Sequence, residues 1–271
     1  MVTFPPAKIN IGLQVLGKRD DGFHNLNTIF YPLPFYDALE LIPDHSSDNL
    51  SLVQTGNVLD VSPDHNLVSK AYDVLRNEFP EIKGVRAHLH KAIPSGAGLG
   101  GGSSDAASML KLLNDVFHLN LSHEQLCVYA LALGSDCPFF IHNKPALARG
   151  RGELLNSVAL DLSSYEILLV NPGIHINTGF AFSQLKEFSK ETDLAKAVAL
   201  PVNEWKDSIV NDFEKPMAAA HPEIKELINL LYGNDAAYAS LTGTGSSVYG
   251  IFEKGKKPAF KFPSTYFFKW C

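Results

Sequence analysis

Residues 94–107 of the chain read PSGAGLGGGSSDAA, and five of the seven residues in 96–102 are glycine. A glycine inside a regular element costs about 0.5–1 kcal/mol relative to alanine, so this density indicates a backbone that must turn sharply or approach another group closely. Amide N–H groups of such a loop can turn inward, and a helix that begins at Ser103, Ser104 and Asp105 adds the positive end of its dipole. The segment therefore predicts an anion-binding loop.

The sequence on either side of this loop predicts regular structure. Residues 85–93 (VRAHLHKAI) alternate apolar and other side chains, as in a strand with one buried face. After the loop, apolar residues recur at helical spacing: Ala106, Leu110, Leu113 and Phe117. The order of strand, glycine loop and helix makes a merely flexible loop the weaker alternative.

Two other phosphate-binding patterns fail on the same residues. Gly96, Gly98 and Gly101 satisfy G-x-G-x-x-G, but a dinucleotide-binding fold needs the loop directly after its first parallel strand and an acidic residue about 20 positions later. Residues 94–95 intervene here, and no strand ending in such an acid follows. A Walker loop needs Lys after its last glycine, where this chain has Ser103.

Composition narrows the class of protein further. The chain has 271 residues, 45% hydrophobic and 19% charged, with a net charge of -6, which disfavours a general nucleic-acid binder. Its three cysteines form no paired framework or metal knuckle, so they are interpreted as reduced thiols. Neither a signal peptide nor an apolar run of about 18 residues is found, so we expect no membrane partner and a cytoplasmic protein.

Extended and helical patterns interleave along the rest of the chain. Residues 7–16 alternate like a strand with one buried face, residues 66–79 repeat at helical spacing until Pro80, and residues 236–252 suggest two strands around a Gly-Thr-Gly turn. Because extended segments come first, we predict an α+β protein. Its length suits two closely packed lobes with a boundary near 150–160.

Three further segments give local predictions. Residues 28–42 contain three interspersed prolines or proline neighbours and predict broken extended structure. Ser122 and Gln125 have the spacing of a capping box at a helix start. Residues 178–190 predict a helical stretch.

Four segments together resemble the GHMP kinases, the family of galactokinase, homoserine kinase and mevalonate kinase. The glycine loop is similar to the second motif of that family, and LTGTGSSVYG at 241–250 resembles its third motif. PAKINIGLQVLGKRDDGFHNL at 6–26 and GSDCPFF at 134–140 resemble segments of one branch. The resemblance implies a two-lobed GHMP kinase fold, with an N-terminal domain 1–155 that carries the ATP-binding loop and a C-terminal domain 156–271 that closes over the substrate.

The branch in question phosphorylates the 2-hydroxyl of 4-diphosphocytidyl-2-C-methyl-D-erythritol in non-mevalonate isoprenoid biosynthesis. The resemblance therefore implies an ATP-dependent kinase with that small molecule as substrate and Mg²⁺ bridging the phosphates, through ligands that the sequence does not fix. Two alternatives stay open. One is another GHMP kinase, of the homoserine or mevalonate type, which GFHNL and SDCPFF disfavour. The other is an inactive nucleotide-binding sensor, which retention of Lys8 and Asp136 disfavours.

Lys8 and Asp136 are the catalytic residues that the resemblance implies. Taken alone, a Lys on a strand and an Asp after a helix are most often solvated surface charges. In the family, a buried Lys and Asp meet at the substrate hydroxyl, where the carboxylate can accept the proton while the ammonium keeps it ionised and faces the transferred phosphate.

Nucleotide binding is implied for one set of residues around the loop. Asn66 either caps its helix, contacts the adenine or does both. The full set comprises Asn66, Pro94, Gly96, Gly98, Leu99, Gly100, Gly101, Gly102, Ser103 and Ser104.

Substrate binding is implied for a second set. His24 would read the edge of a cytosine that stacks between Phe23 and Phe182, with Phe23 standing where the branch usually has Tyr. The turn at Thr242 and Gly243 is either only a hairpin turn or the segment that closes the phosphate loop. The full set comprises Asn10, Phe23, His24, Thr178, Phe182, Thr242 and Gly243. His88 and His90 lack a third neighbouring ligand, so we expect no metal there.

Overall fold

The computed structural model describes residues 1–57 and 66–271, which contain twelve strands and eight α-helices. The strands are β1 (Val2–Thr3), β2 (Pro6–Lys18), β3 (His24–Tyr36), β4 (Ala38–Pro43), β5 (Leu50–Gly56), β6 (Val85–Lys91), β7 (Ala146–Gly150), β8 (Leu154–Ser157), β9 (Tyr165–Asn171), β10 (Tyr238–Leu241), β11 (Val248–Glu253) and β12 (Phe267–Trp270). The helices are α1 (Leu67–Glu78), α2 (Gly101–Val116), α3 (His123–Leu133), α4 (Cys137–His142), α5 (Thr178–Ser183), α6 (Leu194–Ala197), α7 (Glu214–Ala220) and α8 (Pro222–Tyr232). A 3₁₀ helix covers Val202–Asp207.

The strands form three four-stranded sheets, in the orders β1-β4-β6-β5, β2-β3-β7-β8 and β10-β11-β9-β12. Strand β5 runs parallel to β6, whereas β4 with β6, β3 with β7 and β9 with β11 are antiparallel. Mainly antiparallel sheets together with helices confirm the predicted α+β class.

The chain divides into two compact units that interleave along the sequence. The first unit comprises Met1–Lys8, Pro32–Ser95 and Gly100–Lys144, and the second comprises Ile9–Tyr31, Gly96–Leu99 and Pro145–Cys271. The N-terminal strands therefore contribute to both units. The domain boundary at residue 155 stays a prediction.

In the first unit, strand β6 leads into the glycine loop and helix α2 leads out of it. Strand β6 alternates buried and exposed residues as predicted, and α2 packs against α1, α3, α4 and β4. The buried face of α2 carries Ala106, Leu110 and Leu113, three of the four residues that the helical spacing indicated. Sheet and helices thus hold both ends of the loop.

In the second unit, helices α7 and α8 pack on the sheet that contains β9 and β11. Phe213, Met217 and Leu231 share a buried cluster with Leu168 and Phe252. Full burial of such side chains contributes roughly 1.5–3 kcal/mol each, so this cluster stabilises the strands on either side of the Thr242 turn.

Strand β2 departs from its predicted pattern. Period-two alternation predicted one buried face, but every residue from Pro6 to Leu13 is buried. The expectation of a single buried face was wrong, because the polar residues Lys8 and Asn10 are covered as well as the apolar ones. A buried polar side chain must find partners, so burial of both faces places a functional constraint on these two positions.

Helix ends follow the predictions more closely than helix lengths do. Asn66 is the N-cap of α1, and Ser122 and Gln125 form the predicted capping box at α3. Helix α2 begins at Gly101, two residues before the predicted start. Helix α5 ends at Ser183, so the helical stretch predicted to reach residue 190 was too long.

The extended segment 28–42 is less broken than its prolines suggested. Strand β3 continues through Pro32 and Pro34 to Tyr36, and the break before β4 falls at Asp37. Among the described helices, none combines the length and the apolar character needed to cross a bilayer.

The turn between β10 and β11 packs against residues 96–99 within the second unit. Thr242 Oγ1 donates to the carbonyl oxygen of Gly98 at 3.0 Å, and the Ser247 amide donates to Ala97 at 3.3 Å. A Cβ on Gly98 would overlap the Thr242 carbonyl oxygen, and Gly98 has a φ of +77°. Glycine is required there both for close approach and for backbone conformation.

Gly98→Ala should therefore lower the free energy of unfolding by about 1–3 kcal/mol, because the new methyl group forces the loop away from the Thr242 turn and strains the backbone. Gly102→Ala is the matched control. A Cβ there would lie 3.7 Å from its nearest neighbour, and the position is helical, so the change should be neutral or stabilising by up to about 1 kcal/mol. Denaturant unfolding of both variants measures the difference, and equal stability of the two would contradict the packing described.

Candidate functional site

The start of helix α2 has the properties of an anion site. Gly100 is its N-cap in the left-handed conformation, with φ of 70°, and has no side chain to cap the helix. The first amide groups of a helix lack intrahelical acceptors, and the helix dipole places partial positive charge on them. The site therefore offers donors to a phosphate, as the glycine pattern predicted.

Side chains crowd the backbone at this helix start. A Cβ on Gly100 would lie 2.8 Å from Phe140 Cζ and 3.1 Å from Lys8 Cγ, and one on Gly101 would lie 3.1 Å from Ile93 Cγ2. The glycines are therefore set by packing as well as by backbone turning. Close packing here also brings the start of α2 beside the Lys8 side chain.

Ser104 lies in the first turn of α2 and is fully buried. Its hydroxyl oxygen has no hydrogen-bond partner among the described residues. A buried hydroxyl without a partner carries a desolvation cost, so it is a donor that a ligand could satisfy. Ser103, one residue earlier, instead hydrogen-bonds to Cys137, whose buried thiol has a pKa of about 12.

Lys8 and Asp136 meet in the first unit. Lys8 Nζ lies 3.3 Å from Asp136 Oδ2, and the two side chains are 4% and 33% exposed. Asp136 is the N-cap of α4 but makes no capping hydrogen bond with its side chain. The surface-charge interpretation of Lys8 is therefore wrong, and the partly exposed carboxylate is held by a buried ammonium, where it can still reach a ligand.

Asn10 belongs to a hydrogen-bonded network in the second unit. Its backbone amide donates to Thr242 Oγ1 at 3.0 Å, and its side-chain Nδ2 donates to Thr28 Oγ1 at 3.0 Å. Thr242 and Gly243 both lie against Gly98, so the turn is more than a hairpin connection. The structure thus brings together residues predicted from three separate motifs.

The predicted cytosine-binding residues adopt a different arrangement from the expected sandwich. His24 stacks directly on Phe182, with ring centroids 4.3 Å apart and planes 18° apart. Phe23 is 48% exposed, and the Arg151 guanidinium lies over its ring at 4.3 Å. His24 and Phe182 are therefore brought together, while Phe23 contacts Arg151. Burial, followed by the charge of Lys18, lowers the pKa of His24, which favours the neutral imidazole.

The remaining predicted residues take simpler positions. Asn66 Oδ1 accepts from the Val68 amide at 2.8 Å, which confirms the cap, whereas the adenine contact stays a prediction. Thr178 is exposed at the first position of α5, whose N-cap is Asn177. Leu99 is buried, and Pro94 is half-buried at the entrance to the loop.

One buried cluster beneath the glycine loop was missed from the sequence. Lys91 Nζ donates to Asp37 and, at 2.6 Å, to Asp105 Oδ2. Burial, opposed by Lys91 and reinforced by Asp37, raises the pKa of Asp105 to about 7. The only available signal was Asp105 itself, which lies within the loop motif but was interpreted as part of a helix start.

The described residues contain no group of three or more His, Cys, Asp or Glu side chains arranged to hold a metal ion. His88 and His90 both contact the Thr55 hydroxyl at 3.0 Å. Cys127, Cys137 and Cys271 are free thiols.

Comparison with known families matches both halves of the chain. The family described as GHMP kinases N terminal domain matches residues 66–144, and that described as GHMP kinases C terminal matches residues 194–261. The first match covers the glycine loop and Asp136, and the second covers the Thr242 turn.

Individual proteins are similar over nearly the whole chain. The 4-diphosphocytidyl-2-C-methyl-D-erythritol kinase of Bacteroides thetaiotaomicron is 49% identical, covering 93% of this chain and 92% of that protein. The enzyme of the same name from Chlorobium limicola is 38% identical, covering 92% of this chain and 87% of that protein.

Solved structures agree with this result. A crystal structure of 4-(cytidine 5'-diphospho)-2C-methyl-D-erythritol kinase has a TM-score of 0.80 and 30% identity, covering 93% of this chain and 90% of that chain. Homoserine kinase from Cytophaga hutchinsonii, at 15% identity and a TM-score of 0.66 over 93% of this chain and 86% of that chain, shares the fold alone. This chain belongs to the GHMP kinase family, in the branch of the 4-diphosphocytidyl-2-C-methyl-D-erythritol kinases.

Proposed function

We propose that the chain transfers the terminal phosphate of ATP to the 2-hydroxyl of 4-diphosphocytidyl-2-C-methyl-D-erythritol, a step of non-mevalonate isoprenoid biosynthesis. The observation that carries this assignment is the ion pair between buried Lys8 and partly exposed Asp136. The names of relatives 38–49% identical over most of the chain support the choice of substrate. A cytoplasmic location stays a prediction from the sequence.

The Lys8–Asp136 pair can perform the proton transfer. As the substrate oxygen forms its bond to the γ-phosphorus, the bond from that phosphorus to the β–γ bridging oxygen breaks and ADP leaves. The proton of the hydroxyl passes to the Asp136 carboxylate. Lys8, 3.3 Å away, keeps this carboxylate ionised beforehand and supplies positive charge beside the transferred phosphate.

The start of α2 would hold the phosphates of ATP. Its uncapped first turn supplies amide donors, and the unpartnered Ser104 hydroxyl supplies one more. Kinases use Mg²⁺ to bridge the phosphates and neutralise developing charge. Since the described residues form no metal-binding cluster, the ion fits here as part of the metal–nucleotide substrate, and the protein residues position its phosphates.

Cytosine recognition is assigned to His24, with Phe23 and Phe182 on the two faces of the base. To form that sandwich, His24 must leave Phe182 and Arg151 must leave Phe23. An aromatic pair contributes about 0.5–1.5 kcal/mol and an exposed cation–π contact about 0.5–1 kcal/mol. Stacking of a base contributes ~1–3 kcal/mol per face partner, so two new stacks offset the loss of both contacts.

Asp136→Asn should reduce kcat by about 10²- to 10⁴-fold, because the amide cannot accept the proton of the hydroxyl. The KM for ATP should change little, since the nucleotide is held mainly by the start of α2. Steady-state kinetics with both substrates measures the effect. Asp115→Asn, an exposed carboxylate on the same helix as the loop, is the control and should match the unmodified protein. Nearly full turnover by Asp136→Asn would move the base elsewhere.

His24→Ala should weaken the cytidine substrate selectively while leaving the KM for ATP unchanged, because the imidazole reads the edge of the base. The unmodified protein should reject the uridine diphosphate analogue, which leaves that edge unpaired, and the rejection should fade in His24→Ala. Phe182→Ala should raise the KM for the cytidine substrate by roughly tenfold or more. A kinase assay with both analogues decides the matter, and equal turnover of the two by the unmodified protein would show that the acceptor is wrong.

A further inference from the structure

Lys91, the last residue of β6, lies at the entrance to the glycine loop with its ammonium buried between two carboxylates. Its Nζ donates to Asp37 and to Asp105 Oδ2, the latter at 2.6 Å. The three side chains are 7%, 0% and 3% exposed, so water contributes little to their solvation. Buried charges of this kind persist only when they compensate one another.

Asp37 also binds the chain that enters the loop. Its Oδ1 accepts from the amides of Ala92 at 2.6 Å and Ile93 at 2.8 Å, the two residues directly after Lys91. The carboxylate therefore fixes the direction in which the backbone leaves the sheet β1-β4-β6-β5. Each of its oxygens has a separate task, one toward the backbone and one toward the ammonium.

Asp105 belongs to the chain that leaves the loop. It lies four residues, or about one helical turn, after Gly101, the first residue of α2. A Cβ on Gly101 would lie 3.3 Å from Lys91 Nζ, so the ammonium is in close contact with this first turn. A single ammonium thus connects the residues before the loop with the turn after it.

We propose that Lys91, held between Asp37 and Asp105, is a positioning residue for phosphate binding that fixes the first turn of α2 relative to the end of β6. This role rests on the proposed kinase function and deepens it. Lys91 acts through the backbone of the loop, because its ammonium is already engaged by two carboxylates. Fixing both ends of a glycine-rich segment lowers the entropy that the loop loses when ATP binds.

Charge in the cluster gives the role a signature that mere structural support lacks. With Asp105 neutral, Lys91 and Asp37 compensate each other; with Asp105 ionised, the cluster carries one net negative charge beneath a phosphate site. Burial and the Asp37 carboxylate raise the pKa of Asp105 to about 7 despite Lys91, and the two carboxylates keep the pKa of Lys91 above its usual value despite burial. Lys91 and Asp37 are the charged groups that face Asp105.

The sign of the pH effect follows from these charges. Below pH 7, Asp105 is protonated and the cluster is neutral; as the pH rises through about 7, ionisation adds negative charge and ATP affinity should fall. Asp105→Asn keeps the shape and the acceptor oxygen but stays neutral, so its affinity should not fall in this range. Asp37→Asn keeps the acceptor for both backbone amides but removes the neighbouring negative charge, so the transition should move to lower pH.

The experiment measures ATP binding by calorimetry between pH 5.5 and 8.5 in the absence of acceptor, for the unmodified protein and the two Asn variants. Each variant is compared with the unmodified protein at the same pH, which cancels the titration of ATP itself. Asp115→Asn, on the same helix but exposed, is the matched control and should follow the unmodified protein. A profile of Asp105→Asn that superimposes on that of the unmodified protein would overturn the role of the cluster.

Lys91→Met tests the ammonium directly. Because it leaves two buried carboxylates uncompensated, it is made together with Asp105→Asn, which removes one of those charges. The double variant should bind ATP ~10- to ~100-fold more weakly, as expected when phosphate donors are misplaced, while the KM for the acceptor and the far-ultraviolet circular dichroism stay unchanged. Unchanged ATP affinity in the folded double variant would overturn the inference alone, whereas absence of ATP binding by the unmodified protein would overturn the proposed function with it.

Discussion

Burial of a charged amine on a strand is the constraint on which the candidate site depends. An ammonium that leaves water must be compensated, and Lys8 is compensated by Asp136, which follows the short connection between α3 and α4. The same strand carries Asn10, whose amide binds the Thr242 turn, so β2 takes part in the contacts of both chemical motifs. The sequence of β2 is therefore restricted at its polar positions as strongly as at its apolar ones.

Local patterns predicted most of the elements correctly because they depend on nearby residues. Alternation identified β6, the spacing of Ser122 and Gln125 identified the start of α3, and the glycine run identified the loop. The cluster of Lys91, Asp37 and Asp105 could not be found in this way. Lys91 and Asp37 are 54 positions apart, and no periodicity in either segment indicates that their side chains meet.

Roles that depend on a ligand are also beyond local patterns. The resemblance named His24 and Phe182, and their side chains do lie together, but in direct contact with each other. Without a base, apolar ring faces gain most by covering one another, since this removes them from water. The expected sandwich and the observed stack thus answer the same physical demand in two states, and only one of them can be inferred from a list of substrate contacts.

Two buried ammonium groups have different tasks in this account. Lys8 pairs with a carboxylate that is a third exposed and can reach a substrate, whereas Lys91 is enclosed by carboxylates that have almost no exposure. The first arrangement suits chemistry, and the second suits positioning of the backbone. The difference in exposure of the partner, rather than of the lysine, separates the two roles.

The position of the new phosphate is the most direct test of the central claim. The chain, ATP with Mg²⁺ and 4-diphosphocytidyl-2-C-methyl-D-erythritol are incubated, and the product is analysed by phosphorus and carbon nuclear magnetic resonance. The account predicts one additional phosphate monoester, with phosphorus–carbon coupling that places it on the 2-hydroxyl, together with an equal amount of ADP. Phosphate on another hydroxyl, or release of inorganic phosphate without a phosphorylated product, would contradict it.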